Sequence, residues 1–323
     1  MKLTEKGVFS ENGKKALAKK IKSSVPGWIF VLPLVIGMLV FTLYPVLKSL
    51  IYSFHRYNDV SVYEFIGFGN FKMMFTDDRE EVFKVFGNTF LYAVITVPLN
   101  LFLSYFLAVI VNQKLRGVKF FRVLYYLPVV IPGVISGVIF SQMFDNTNFG
   151  LFNAVLKALG KKEPFPFFTS EKTAMFSAIL MNFWTIGASM ILWLSALKNI
   201  PQGLYEAAKI DGAGVLTRVF KITIPMSTPM IFYNLITSII GALQTNATMV
   251  YAPNGGRGEG DSLYFIAVKI YTEFSSGYYG YASAVAWVLF VVIAILTFIT
   301  FKTNKCPSCI SINTPFAITI FAF

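Results

Sequence analysis

Apolar runs of about twenty residues recur along this chain, separated by shorter polar segments. A helix of that length crosses the ~30 Å hydrocarbon core of a bilayer. In hydrocarbon every backbone N–H and C=O must find a partner, which leaves helices or closed barrels as spanning structures. The runs are continuous rather than alternating, so the expected fold class is all-α and polytopic. Composition agrees, with 55% of the 323 residues hydrophobic and 14% charged, against about 25% charged in soluble domains.

Residues 1–27 are polar and carry Lys2, Lys6, Lys14, Lys15, Lys19, Lys20 and Lys22, and an apolar run fills 28–51. That run exceeds the apolar core of a cleaved signal peptide and lacks a small-residue cleavage site, so it reads as a retained first span. Further spans are expected at about 90–111, 120–144, 174–197, 225–243 and 281–301. Pro128 and Pro132 should kink the third of the six. Pro225 suits the first turn of the fifth, where its missing N–H is not needed. Among the intervening segments, 52–87 holds Asp77, Asp78, Glu80 and Glu81, which read as solvated loop.

The net charge of +12 would raise nucleic acid as a partner in a soluble protein. In a membrane protein it reflects Lys and Arg kept on the cytoplasmic side. With both termini cytoplasmic, the inner segments hold 17 Lys/Arg against 4 acids and the outer ones 10 against 12. The expected partners are therefore membrane lipids, with no nucleic acid.

One histidine, His55, excludes a multi-histidine metal site, and Cys306 with Cys309 form neither a disulfide framework nor, without two more ligands, a zinc site. No Gly-Lys-Ser/Thr phosphate loop occurs, and the Gly255-Gly256-Arg257-Gly258-Glu259-Gly260 stretch lacks its spacing. No catalytic residue and no metal ligand is assigned.

Residues 198–225 are a polar island between apolar runs. Pro201 at a first turn, then Leu204, Tyr205, Ala207, Ala208 and Ile210, give a short helix with an apolar face, and Gly212 stops it. A second short segment, 216–221, leads into Pro225. The shape is helix–turn–helix, with Glu206 and Asp211 free for a basic partner and an Ala-rich face suited to a groove. The alternative is a cytoplasmic loop resting on lipid headgroups.

Glu206-Ala207-Ala208, then Gly212, then Ile222-Thr223-Ile224-Pro225 resembles the EAA signature of ABC importer permeases. That pattern is E-A-A, three residues, Gly, nine residues and I-x-L-P, and Ile224 stands where it has Leu. Asn88-Thr89, Asp211-Gly212-Ala213, Gly255-Gly256 and Gly280-Tyr281-Ala282-Ser283-Ala284 before Trp287 are similar to sugar-uptake members related to the maltose transporter's F-type subunit. The likeness covers roughly residues 30–301.

The resemblance implies a type I ABC importer permease fold in a bacterial cell membrane. It implies a first helix and outer loop at 28–87 and a permease core at 88–301 with the coupling loop at 198–225. Coupling to an ATPase would fall to Glu206, Ala207, Ala208, Asp211, Gly212, Ala213 and Pro225. Glu206 would pair with basic groups of the ATPase, and Gly212 would let the chain turn. The chain would bind no cofactor and would not be an enzyme. ATP and Mg would sit on two cytoplasmic ATP-binding subunits, beside a second homologous permease in a heterodimer and an extracellular solute-binding protein. Residues 302–323 depart from the family: Cys306-Pro307-Ser308-Cys309 and an apolar 316–323 replace a short aromatic tail, as a shifted reading frame or a variant tail would.

Polar side chains inside spans are costly and draw attention as solute contacts. These are Asn182, Trp184 and Ser189 in the fourth span, Asn234 and Thr237 in the fifth, and Gln244 and Asn246 just beyond it. Amides and an aromatic face suit a sugar or oligosaccharide, although the same residues also serve helix–helix hydrogen bonding. Polyols, glycerol phosphate and amino acids remain alternative solutes. A polytopic membrane enzyme acting on lipid is the alternative class, and it would need a histidine or paired carboxylates at one membrane face.

Overall fold

The computed structural model describes residues 27–58, 62–113, 117–147 and 149–303. The basic tail up to residue 26, Lys114, Arg116 and the tail from residue 304, with Lys305, Cys306 and Cys309, lie outside the described residues. Residues up to Ile51 belong to one compact unit, and those from Tyr52 to the end of the described chain belong to another.

The first unit holds most of α1 (Gly27–Ser53), a 27-residue, strongly apolar helix. It widens into a π-turn at Leu39–Leu43. Pro45 follows at once and has no N–H to donate to the carbonyl four residues back, which loosens the ladder there.

The second unit opens with a feature absent from the all-α reading, a small hairpin of β1 (His55–Asn58) and β2 (Val62–Phe65) with His55 opposite Phe65. Then come α2 (Gly69–Phe75), the 33-residue α3 (Arg79–Val111), α4 (Val118–Val130), α5 (Gly133–Met143) and the short α6 (Leu151–Ala158). Next, α7 (Glu171–Asn182) continues through a 3-10 turn at Phe183–Thr185 into α8 (Ile186–Lys198). The island supplies α9 (Gln202–Ile210) and α10 (Val215–Arg218), followed by a π-turn at Val219–Thr223 and α11 (Ile224–Met226). The chain ends with α12 (Thr228–Leu243), α13 (Thr248–Tyr251), α14 (Ile266–Ser275) and α15 (Tyr279–Thr303).

Among the described residues, four helices are long and apolar enough to cross a membrane, and the count reaches six if each of two bent pairs is one span. Those two pairs are where the structure departs from the expected spans. The third is not a kinked helix but two, 106° apart. Pro128 is carried inside α4, whereas Ile131 is extended (ψ 125°) ahead of Pro132, as the residue before a proline prefers. The fifth begins not at Pro225 but at Thr228, after a 69° bend. Pro229 cannot donate to the Pro225 carbonyl, and the Thr228 hydroxyl takes that acceptor instead at 2.8 Å.

The core forms where α3 crosses α8. Trp193 is buried with Met190, Leu194, Leu197, Ala108 and Val111, and its indole N–H donates to the Ser104 hydroxyl at 2.9 Å. Apolar burial gives little net drive inside lipid, so close packing and such bonds hold the helices. Gly187 shows how close the packing is: a Cβ there would lie 1.8 Å from the Tyr125 carbonyl oxygen of α4.

Candidate coupling loop and solute pathway

The island folds as the helix–turn–helix its sequence suggests, with Pro201 immediately before α9 rather than within its first turn. Its stop is a Schellman motif: Ala213 N–H donates to the Ala208 carbonyl at 2.8 Å and Gly212 N–H to the Lys209 carbonyl at 3.1 Å. Gly212 takes φ +76° to make that turn, a left-handed conformation costly for residues with a Cβ. Glu206, Ala207 and Asp211 are exposed, and Ala208 and Ala213 are half-buried. Around them Leu204, Ile210, Val215, Leu216 and Phe220 are exposed as well, Ile210 to 87%. The loop thus presents acids and an apolar patch together.

Beneath it, α9 and α10 enclose a groove of about 910 Å³ with the ends of α3 and α8, lined by Asn112, Gln113, Lys198, Glu206, Lys209 and Arg218 among others. The Tyr205 hydroxyl lies 3.0 Å from the Thr223 hydroxyl, tying α9 to the π-turn that holds Pro225 at its exit.

The expected solute contacts divide. Asn182, Ser189, Asn234 and Thr237 line one cavity of about 430 Å³ between α3, α8 and α12. Asn182 and Trp184 also line a second, of about 400 Å³, with Tyr92, Phe140 and Tyr251. Among the described residues, none that is charged lines either cavity. Gln244 and Asn246 line neither of them; Asn246 instead accepts the Met249 N–H at 3.0 Å on its carbonyl.

Asn182 stands at the break between α7 and the 3-10 turn and joins a chain across the helices. It accepts from the Asn100 amide at 3.3 Å and donates to the Tyr92 hydroxyl at 3.1 Å. The side-chain oxygens of Asn100 and Asn234 are buried without a hydrogen-bond partner. Both residues line the first cavity, and an acceptor buried without a partner is costly. Tyr92, Thr96 and Asn100 were missed in the sequence, yet their spacing of four puts them on one stripe of an apolar helix, a pattern that could have found them.

A third constellation corrects the reading of the acidic segment. Asp77 and Glu80 are exposed as expected, but Asp78 and Glu81 turn inward. Lys269, 1% exposed, lies 2.8 Å from Asp78, 3.1 Å from Glu81 and 3.2 Å from Glu273. Arg257 adds a pair with Glu81 at 3.1 Å and lies over the Tyr264 ring. Burial opposes charge on Asp78, but the Lys269 ammonium and the Tyr281 hydroxyl outweigh it and hold the carboxyl below its ordinary range. Burial likewise opposes charge on Lys269, and Asp78, Tyr264 and Glu81 outweigh it and push that pKa up. Nearby, the Asn88 amide donates to the Asp261 carbonyl at 2.8 Å and the Thr89 hydroxyl accepts the Ile266 N–H at 3.0 Å. The Asn88-Thr89 pair therefore pins the segment leading into α14.

Crossing apolar helices around an uncharged polar cavity, with an exposed helix–turn–helix at one end, define a membrane transport subunit. Residues 100–303 match the model of the binding-protein-dependent transport system inner membrane component, and the chain belongs to that family. It is 37% identical over 284 residues to the probable ABC transporter permease protein YesP of Bacillus subtilis, covering 85% of this chain and 90% of that one. It is 34% identical to the lactose transport system permease protein LacF of Rhizobium radiobacter, covering 76% and 82%. The trehalose/maltose transport system permease protein MalF of Thermococcus litoralis is 31% identical, covering 83% and 89%. Among solved structures, a chain of a bacterial alginate ABC transporter in complex with an alginate pentasaccharide-bound periplasmic protein superposes with TM-score 0.78 at 22% identity. That match covers 89% of this chain and 96% of the other, and it shows the fold.

Proposed function

We propose that this chain is a permease subunit of a binding-protein-dependent ABC importer that moves a sugar or oligosaccharide across the cell membrane. The observation that carries the proposal is the cavity lined by Asn100, Asn182, Ser189, Asn234 and Thr237, which offers amides and hydroxyls and no charge. Sugar hydroxyls complete acceptors of that kind, whereas a phosphate-bearing solute would call for a Lys or Arg. Relatives named for lactose and for trehalose/maltose support the same class.

In this reading both termini and the coupling loop face the cytoplasm, as the Lys/Arg bias favours. Each of two ATP-binding subunits takes a loop of this kind in a cleft, one from this chain and one from a second, homologous permease. Glu206 and Asp211 meet basic groups there, and Leu204, Ile210 and Leu216 fill the cleft. ATP-driven approach of the two subunits favours one packing of the helices over the other and so alternates access to the cavity. An extracellular binding protein delivers the solute.

The test is uptake of labelled oligosaccharides in a strain lacking the chromosomal copy. The wild-type chain should restore uptake. Asn182→Ala should raise the KM for uptake about tenfold, equivalent to one lost hydrogen bond of ~1.4 kcal/mol. Glu206→Lys should abolish uptake and co-purification of an ATP-binding subunit. Unchanged uptake in both variants would overturn the proposal.

A further inference from the structure

We propose that α6 and its flanks form a membrane-surface anchor that lies in the outer headgroup layer and takes acidic phospholipid. This rests on the orientation given under Proposed function. The helix has two apolar faces. One is satisfied internally: the Phe152 ring sits 4.4 Å from Phe144, and the Asn153 amide donates to the Asp145 and Phe165 carbonyls at 2.8 and 3.1 Å. Asn153 also accepts the Phe165 N–H at 2.7 Å. The segment is thus a braced platform, not a loose loop.

The other face carries Leu151, Val155 and Leu159, spaced by four and exposed, with Phe149 beside them at 96% exposure. The helix begins eight residues after α5 ends at Met143 and closes before α7 begins at Glu171. Seven residues join it to α5 and twelve join it to α7, so it is tethered at both ends to apolar helices of the membrane-spanning set, and an apolar stripe held there meets lipid.

Charge identifies the lipid. Lys157, Lys161 and Lys162 are exposed at the end of this helix, against one acid, Glu163. Lys161 sits 4.3 Å over the Phe165 ring, so aromatic packing holds a cation at this level. Three lysines in an outer loop run against the cytoplasmic bias of short loops, and phosphate headgroups are the counter-charge a surface helix finds. An amphipathic helix with lysines at its rim is the pattern of an interfacial anchor.

The experiment uses the full chain in its complex, with Cys306 and Cys309 replaced by Ser, in vesicles of phosphatidylethanolamine and phosphatidylglycerol. Nitroxides are placed at Val155→Cys, Leu159→Cys and Glu163→Cys. The labels at 155 and 159 should be severalfold more accessible to oxygen than to a nickel chelate, and the label at 163 the reverse. Replacing phosphatidylglycerol with phosphatidylcholine should shift 155 and 159 towards the nickel chelate. Nickel access at 155 and 159 equal to that at 163 would overturn the proposal. So would shielding from both reagents only when a solute-binding protein is added, which would mark a protein-docking face. In intact cells Glu163→Cys should react with an impermeant maleimide. Reaction only after permeabilisation would overturn the orientation along with the anchor, whereas outside reaction with a water-exposed Val155 label would overturn the anchor alone.

Discussion

Lys269 shows what a single residue contributes. Its ammonium holds Asp78, Glu81 and Glu273 within 3.2 Å, and Asp78 and Glu81 lie nearly two hundred residues earlier in the chain. Lys269→Met keeps the bulk but leaves Asp78 and Glu273 without their cation and Glu81 with Arg257 alone, and breaking a buried pair in this way costs about 3–5 kcal/mol. A lower thermal midpoint in detergent is the expected result, with Lys269→Arg falling between it and wild type. The pH dependence follows from the two shifts. Asp78, lowered from 3.8, contributes stability above that value and loses it as pH falls through the folded pKa. Lys269, raised from 10.5, contributes below that value and loses it as pH rises through the folded pKa. The midpoint should stay flat across the neutral range, and the drop below about pH 4 should be smaller in Lys269→Met. None of this was legible in the sequence, where Asp77, Asp78, Glu80 and Glu81 read alike. Only the fold supplies Lys269, and it selects the members at 78 and 81, three apart and so on one side of a turn.

At the scale of the element, what was legible was what local chemistry decides. The stop at Gly212 was readable because only a residue without a Cβ takes φ +76° easily. Gly212→Val should destabilise the loop by about 1–2 kcal/mol, and proteolysis at residues 209–214 should quicken in the isolated chain. The spans were readable from run length, because hydrocarbon leaves a helix little alternative. Their breaks were readable only in part, since Pro128 and Pro132 marked the third span for a kink but not which of the two would break it. Pro128, Pro132, Pro225 and Pro229 look alike in sequence, and only two of them sit at bends. Pro128 is carried within α4, whereas Ile131 ahead of Pro132 is extended, and the chain turns at Ser227 before Thr228 and Pro229 open α12. Packing distance was equally hidden. Gly187 reads as a neutral span residue, yet Gly187→Ala would place a Cβ against the Tyr125 carbonyl. Such overpacking costs about 1–3 kcal/mol, measurable as a lower midpoint with α4 and α8 forced apart.

For the whole molecule, the question is how the loop reaches the cavity. Coupling needs a physical connection with two arrangements, and adjacency alone is no warrant. One connection is continuous here. The Tyr205 hydroxyl of α9 meets Thr223 at 3.0 Å, and Thr223 also donates to the Arg218 carbonyl at 3.2 Å across the π-turn. Past the bend, α12 carries Asn234 and Thr237 into the cavity. A push on α9 therefore bears on the end of the segment whose far side lines the proposed solute path. Tyr205→Phe removes one hydroxyl and keeps the ring, the loop and the cavity intact. If Tyr205 transmits force, ATP turnover by the reconstituted complex should persist while solute moved per ATP falls about fivefold, the equivalent of ~1 kcal/mol of lost coupling. The KM for uptake should not move, because no cavity residue has changed. A parallel loss of ATP turnover and transport would instead show that Tyr205 only holds α9 in its docked shape. Equal transport per ATP in variant and wild type would place the connection elsewhere in the bundle.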